Sequence, residues 1–401
     1  MNKVLILDPV CRFVYGHHYP TTKSLLNSFP DKSCYVAIHR KASSAIKFDD
    51  DVTVWNWPDV RTLSRRIFKW VEHTAHYRSV ARSRNAKAML HFAQSAQLGA
   101  NDTIIFHTAW PHQAGSLAMF AQKLGRDGPA MHFRVIGESA REDLIQEYEA
   151  GLSLLAKAAR ELPNLHLYSE TVEMGIKLET SYGFPPVRQW LTPMNIRDGA
   201  LTAKTDPQDC FVVGMLGGKR KEQGTDLIPD IVRSLAEGQQ RTGVRRIRIL
   251  LQKPAGLDSD SRGSDEAMRF MASLEQLELS DMLELDFLDP ELSSAAFADA
   301  IGRSHVLVLP YDIHSYRSRG SGMIIEAAMC GTPVVVTKGF AMADWQEIAG
   351  SPAASNIGEY ADAILAVAQN YQRYRDGAVK AGQAMRHVMA ERIEKIRAGS
   401  C

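Results

Sequence analysis

The feature that most limits the fold of this chain is an alternation that occurs twice. Short apolar, β-branched runs are separated by longer stretches of helical period. In the first half KVLILD (3–8), CYVAIH (34–39), VTVW (52–55), TIIFH (103–107), MHFRVI (131–136) and LHLYS (165–169) read as strands. In the second half CFVVGML (210–216), RIRILL (246–251), LELDFL (283–288), HVLVLP (305–310) and PVVVT (333–337) do so. Strands that alternate with helices imply parallel sheets covered on both faces, because a parallel connection has to cross over the sheet. At 401 residues the chain is too long for a single core. The expectation is an α/β chain of two doubly wound, Rossmann-like domains, at 1–190 and 210–375. The linker is placed at 191–209, where a proline-bearing stretch (Pro185, Pro186, Pro193, Pro207) loses all period. The tail from Ile357 to Arg397 is helical in pattern, with 376–401 as a C-terminal helix.

Charge and cysteine usage exclude several classes. The formal net charge is +1, which gives no electrostatic reason to expect nucleic acid as a partner. The five cysteines are scattered, odd in number and without a C-x-x-C pair. That pattern argues against a disulfide framework or a zinc site and suits a reducing, cytoplasmic compartment. The opening MNKVLILDPV reads as a first strand rather than a signal peptide, and no run of 18 apolar residues is present.

The stretch SRGSGMIIEAAMCGTPVVV, Ser318–Val336, sets a charged residue, Glu326, inside a short apolar helix. An ionised carboxylate in a core is costly without partners. Ser321 is the expected N-cap and Gly331 the expected C′ residue of a helix from about Gly322 to Cys330. Helical side chains lean toward the N-terminus, so Glu326 leans over Gly322 toward the open amides of the first turn. Such an end favours a phosphate, and a carboxylate one turn in can accept two hydrogen bonds from a ribose diol. The helix follows a strand, at the carboxyl edge where ligands bind in open α/β sheets. The structural alternative is an ion pair of Glu326 with Arg317 or Arg319.

The segment PYDIHSYRSRGSGMIIEAAMCGTPVVV resembles the donor-binding segment of retaining glycosyltransferases of the GT-B fold, of the broad family 4 (group 1) type. VVGMLGGKRKEQGTDLIPDIV (212–232) is similar to the basic loop after the first strand of that family's C-terminal domain. The resemblance implies that Glu326 holds the ribose of a nucleotide-sugar and that the amides of Ser321, Gly322 and Met323 hold its diphosphate. It implies that Arg220, beside Gly217 and Gly218, pairs with the diphosphate and stabilises the leaving group. A guanidinium fork matches phosphate oxygens. Arg319, with Asp312 and Tyr316, would contact the diphosphate or sugar. The last helix would cross back to the N-terminal domain. Two positions depart from the pattern: Ser318 stands where a second glutamate is usual, and Gln223 where a lysine is.

In the N-terminal half, Gly16, His17 and His18 follow the first strand and precede a helix. The resemblance puts this loop near the acceptor or the diphosphate; the alternative is a capping loop with surface imidazoles. His107, at a strand end, is the better catalytic candidate of the pair His107 and His112. A histidine usual after another strand is replaced by Ile136, with Arg134 or Glu138 as substitutes. Residues 61–88 carry eight Lys/Arg and one acid, Glu72, with Leu63, Ile67, Trp70, Val71, Thr74, Tyr77 and Ala81 on one helical face. That face suits either its own sheet or, with the basic residues, an anionic membrane surface.

These expectations combine into a glycosyltransferase of the hexosyltransferase type. It would use a nucleotide-sugar donor and a glycan or lipid-linked glycan acceptor in bacterial-type surface polysaccharide or glycolipid assembly. It would be retaining, with no cofactor and no essential metal, and cytoplasmic or peripheral on the inner membrane face through 61–88. A nucleotide-sugar 2-epimerase of the same fold and a non-catalytic partner in a glycan assembly complex stay open.

Overall fold

The computed structural model of the chain describes residues 2–14, 18–58, 75–137, 145–192, 207, 209–217, 221–242, 246–254, 262–279 and 281–399. It divides into two compact units. The first comprises Met1–Asn195 with Ser318–Gly320 and Val388–Cys401; the second comprises Ile196–Arg317 and Ser321–His387.

The first unit is built on a parallel sheet in the order β3-β2-β1-β4-β5-β6-β7. Its strands are β1 (Lys3–Asp8), β2 (Ser33–Ile38), β3 (Thr53–Asn56), β4 (Thr103–Ala109), β5 (Ala130–Val135), β6 (Leu165–Ser169) and β7 (Arg188–Gln189). Every residue of β4 is buried, as a central strand covered on both faces requires. The period of two distributes one strand between two cores. Leu5 and Leu7 of β1 join Ile104, Phe106 and Phe133 on one face, while Val4 and Ile6 join Val36, Ile105, Tyr168 and Trp190 on the other. On β5, Met131, Phe133 and Val135 enter the first core. His132 and Arg134, between them, are also buried.

The second unit repeats the plan with a parallel sheet ordered β10-β9-β8-β11-β12-β13. Here β8 is Phe211–Met215, β9 Ile247–Gln252, β10 Leu283–Leu288, β11 Val306–Leu309, β12 Val334–Thr337 and β13 Ala353–Ala354. Phe211, Val213 and Met215 of β8 lie in one core with Ile249, Leu251, Val306 and Val308. The helices Ile228–Thr242 and Ile357–Gln369 supply Ile231, Leu235, Ile364 and Val367 to it. On the other face Gly214 lets two strands close up, since a Cβ there would lie 2.4 Å from Leu307.

The eleven runs read as strands all form strands, within about two residues at each end. Two short edge strands, β7 and β13, are additional. The proline-bearing stretch is ordered at its start: Tyr168 and Ser169 pair with Arg188 and Gln189, and Trp190 and Leu191 are fully buried. The helical tail is two helices, Ile357–Gln369 and Tyr371–Ala398, separated at Asn370. Among the described residues no helix is long and apolar enough to cross a membrane.

Candidate functional site

In each sheet the strand order reverses direction beside the first strand, between β1 and β4 and between β8 and β11. The loops leaving the carboxyl ends of those strands go to opposite faces and leave a crevice, the usual place for ligands in an open α/β sheet. The polar residues singled out in the sequence gather at both places.

At the β8/β11 switch point, the loop after β8 begins at Gly217, whose φ is 111°. Its amide donates to Gln252 Oε1 at the end of β9 (2.9 Å), and Gln252 Nε2 donates to the Pro290 carbonyl (3.0 Å). The loop returns at Gly224, in the left-handed region at φ 70°. A Cβ on Gly224 would fall 1.8 Å from the Pro310 carbonyl oxygen, so only glycine fits against the end of β11. A Cβ on Gly217 would come 3.6 Å from Met323 Cε and 3.7 Å from Gln223 Nε2, which brings this loop against the start of the Gly322–Met329 helix. Gly218 and Arg220 lie outside the described residues.

The helix itself follows the sequence closely. Met323, Ile324, Ile325, Ala327, Ala328 and Met329 are buried. Gly331, at φ 59°, ends it, with its amide donating to the Ala328 carbonyl. Ser321 precedes it in extended backbone but makes no side-chain cap. Its hydroxyl instead meets the Tyr311 hydroxyl (3.2 Å), and its amide donates to Met342 Sδ (3.5 Å). The first-turn amides of Gly322 and Met323 take no acceptor among the described residues. Glu326 is half-buried, and burial pushes its pKa up to about 7. No described cation or hydrogen-bond donor meets its carboxylate, which departs from the alternative of an arginine pair.

Three neighbouring expectations resolve differently. Tyr316 is a core aromatic, stacked on Tyr311 (centroids 4.2 Å apart) and packed on Phe340, so it does not present itself to a ligand. Asp312 caps the short helix Ile313–Tyr316, accepting from the amides of His314 (3.3 Å) and Ser315 (3.0 Å) and from the Ser315 hydroxyl (2.7 Å). The Ser315 hydroxyl bond, then those amides, hold its pKa below the usual carboxylate value. Ser318–Gly320 belongs to the first unit, where the Arg319 guanidinium lies over the Trp110 ring at 5.5 Å and the Gly320 amide donates to Glu170 Oε2 (3.2 Å).

At the β1/β4 switch point the central residue is Asp8, the last of β1 and fully buried, which the sequence reading passed over. Its carboxylate meets His18 Nδ1 at 3.2 and 3.3 Å and His107 Nε2 at 3.1 Å. The Thr22 hydroxyl donates to it at 3.0 Å. The only signal in the sequence was an aspartate ending an apolar strand. His107 is fully buried with both ring nitrogens engaged, its Nδ1 against the Thr108 hydroxyl at 2.7 Å. Both ring nitrogens are thus taken up inside the fold, which gives the expected catalytic role of His107 no support from the geometry. Arg134 is a bracket rather than a ligand group. Buried, it donates to the carbonyls of His107 (2.6 Å) and Trp190 (3.3 Å) and to Thr192 Oγ1 (2.8 Å), with Glu170 at 3.8 Å. Gly16, His17 and Glu138 lie outside the described residues, as does the first half of the basic segment, 61–74; from Ala75 that segment is helical.

No family model matches the chain, and no curated protein shows a significant match. Solved structures match in fold. Sucrose-phosphate synthase from Thermosynechococcus elongatus aligns with a TM-score of 0.67 at 12% identity, covering 99% of each chain. HepE from Anabaena, in complex with UDP-glucose, aligns with a TM-score of 0.64 at 14% identity, also over 99% of each chain. A UDP-forming α,α-trehalose-phosphate synthase from Burkholderia xenovorans aligns with a TM-score of 0.64 at 11% identity, over 100% of this chain and 98% of that one. The two parallel sheets and the full-length alignments together give the chain the two-domain GT-B fold, each domain Rossmann-like.

Proposed function

We propose that the chain is a glycosyltransferase that moves a sugar from a nucleotide-diphosphate-sugar to an acceptor hydroxyl. The observation that carries this reading is Glu326: a half-buried carboxylate with no described partner, one turn inside a helix whose first amides are open, at the β8/β11 switch point. A ribose diol offers the two donors that carboxylate lacks, and a diphosphate fits the open amides. HepE is known in complexes with UDP and with UDP-glucose, so uridine nucleotides are the first donors to try.

The finer reading follows the resemblance. Transfer proceeds with retention, to a glycan or lipid-linked glycan of surface polysaccharide or glycolipid assembly, with Arg220 stabilising the departing diphosphate. The first unit receives the acceptor, and segment 61–88 meets an anionic membrane surface on the cytoplasmic side. The helix end and the basic loop take the diphosphate without an essential metal. The spacing D-x-D does occur, at Asp49-Asp50-Asp51 and, outside the described residues, at Asp258-Ser259-Asp260, so the proposal requires that turnover survive a chelator.

Calorimetry with UDP, GDP and ADP and their hexose conjugates tests the donor site. One series is expected to bind, and Glu326→Ala to weaken it by about 1.5–3 kcal/mol, the usual worth of a hydrogen bond to a charged group. Unchanged affinity in a folded variant removes Glu326 from the site. Ser318 and Gln223 favour one competitor, a nucleotide-sugar-binding partner without activity, which would bind donor and never turn it over. A 2-epimerase would convert the donor with no acceptor-linked product.

A further inference from the structure

The loop after β8 is fixed at both of its ends, and the two ends are fixed by different means. The far end uses backbone alone. Gly224 sits against the Pro310 carbonyl, and the Asp312 amide donates to the Glu222 carbonyl (3.0 Å). The near end uses a side chain, that of Gln252. After Ile249, Leu250 and Leu251, all buried, β9 closes on this one buried amide. Gln252 stands one residue beyond the last pairing of β9 with β8, Met215 with Leu251, and opposite Leu288 of β10. From there it reaches the loops that leave both neighbouring strands. Its Oε1 accepts from the Gly217 amide (2.9 Å), and its Nε2 donates to the Pro290 carbonyl (3.0 Å).

These two bonds select the side chain. The Gly217 end needs an acceptor and the Pro290 end a donor, on one group of this length. A primary amide supplies both. The reverse orientation of the amide would set N–H against N–H and oxygen against oxygen. Ionised glutamate keeps the acceptor but has no donor for Pro290, and methionine has the length without either function. A buried amide is costly unless it is paired, so packing alone gives no reason for glutamine at the end of an apolar strand. Gly217, at φ 111°, is where the chain turns out of β8. The bond from Gln252 therefore holds the loop at the residue that sets its direction.

We infer that Gln252 is a positioning residue of the donor site: acting through Gly217, it holds the loop after β8 in the pose that receives a diphosphate. The role rests on the nucleotide-sugar reading of this switch point. A loop fixed at both ends before its ligand arrives loses less conformational freedom on binding. Affinity for the diphosphate then depends on the near anchor. The ribose, assigned to Glu326 on a different element, does not depend on it.

The test uses the full chain as wild type, Gln252→Met and Gln252→Glu. The probes are uridine, guanosine and adenosine, read by ligand-observed NMR, and their 5′-diphosphates, read by calorimetry. Both variants should bind the cognate diphosphate at least about fivefold more weakly, the lower bound for a buried group left without its partner. Both should bind the nucleoside as the wild type does. In 15N-glycine-labelled wild type the Gly217 amide should exchange slowly with solvent, and in Gln252→Met it should exchange fast. Equal losses for nucleoside and diphosphate would make Gln252 a general stabiliser, and unchanged diphosphate affinity would leave it no role; either result overturns the assignment and leaves the donor site standing. Should neither variant fold, the wild type decides, because a Gly217 amide that exchanges at the rate of an unprotected one overturns the assignment by itself. A wild type that binds none of these probes overturns the donor reading as well.

Discussion

At the scale of single residues, Glu326 and Asp8 show two ways of burying a carboxylate. Asp8 is surrounded by donors and stays ionised. Glu326 has none among the described residues, and burial raises its pKa from an ordinary 4.5 to about 7. The folded state therefore holds a proton more tightly than the unfolded state does, and stability falls as pH rises from 4.5 through 7. Glu326→Gln removes that dependence. The variant should gain melting temperature over the wild type at pH 8 and lose most of the gain at pH 5; an equal difference at both pH values would falsify the burial account. Glu326 was legible in the sequence because it interrupts an apolar run of fixed period. Asp8 was not, because His107 reaches it from 99 residues away, through a pairing of β1 with β4 that no local pattern contains. Tyr316 misled for a related reason: a tyrosine in a polar loop reads as a ligand contact until its stacking partners Tyr311 and Phe340 are known.

At the scale of elements, the loop after β8 depends on a turn that only glycine permits. Gly224 has φ 70° and no room for a Cβ beside the Pro310 carbonyl. A side chain in the left-handed region costs roughly 1–2 kcal/mol, and the clash adds to it. Gly224→Ala should thus destabilise by at least about 2 kcal/mol in guanidinium denaturation. A loss below about 0.5 kcal/mol, the range of neutral surface changes, would show that the turn relaxes freely. Long buried strands were readable from composition alone, since a strand covered on both faces has to be apolar throughout. The edge strands β7 and β13 were not. Two residues each, Arg188–Gln189 and Ala353–Ala354, carry no period and exist only because a neighbour offers a free edge. The break at Asn370 was likewise invisible in a tail of good helix formers.

At the scale of the molecule, the doubly wound plan was legible because twice-repeated alternation leaves few other topologies. The plan also buries histidines. Burial pushes the pKa of His107, His132 and His166 below the ordinary 6.5. The unfolded chain then binds more protons than the folded one below about pH 6.5, so stability drops as pH falls through that value. Asp8, with its pKa below the usual carboxylate value, adds a second loss only in stronger acid. Melting temperature should accordingly decline from pH 7.5 to 5, with a shallower decline in His132→Phe; a flat profile over that interval would contradict the buried neutral imidazoles.

The first unit is not continuous in sequence. Ile396 lies in the core that holds Val4, Ile6, Tyr168 and Trp190, with Ile393 packed against it. Both come from Val388–Cys401, a segment translated only after the entire second unit. On the ribosome, the amino-terminal sheet therefore emerges with a gap in one face that nothing upstream can fill. It must wait, partly uncovered, for the last helix, so a stalled or prematurely ended message leaves a product whose earliest-made half is the half left incomplete.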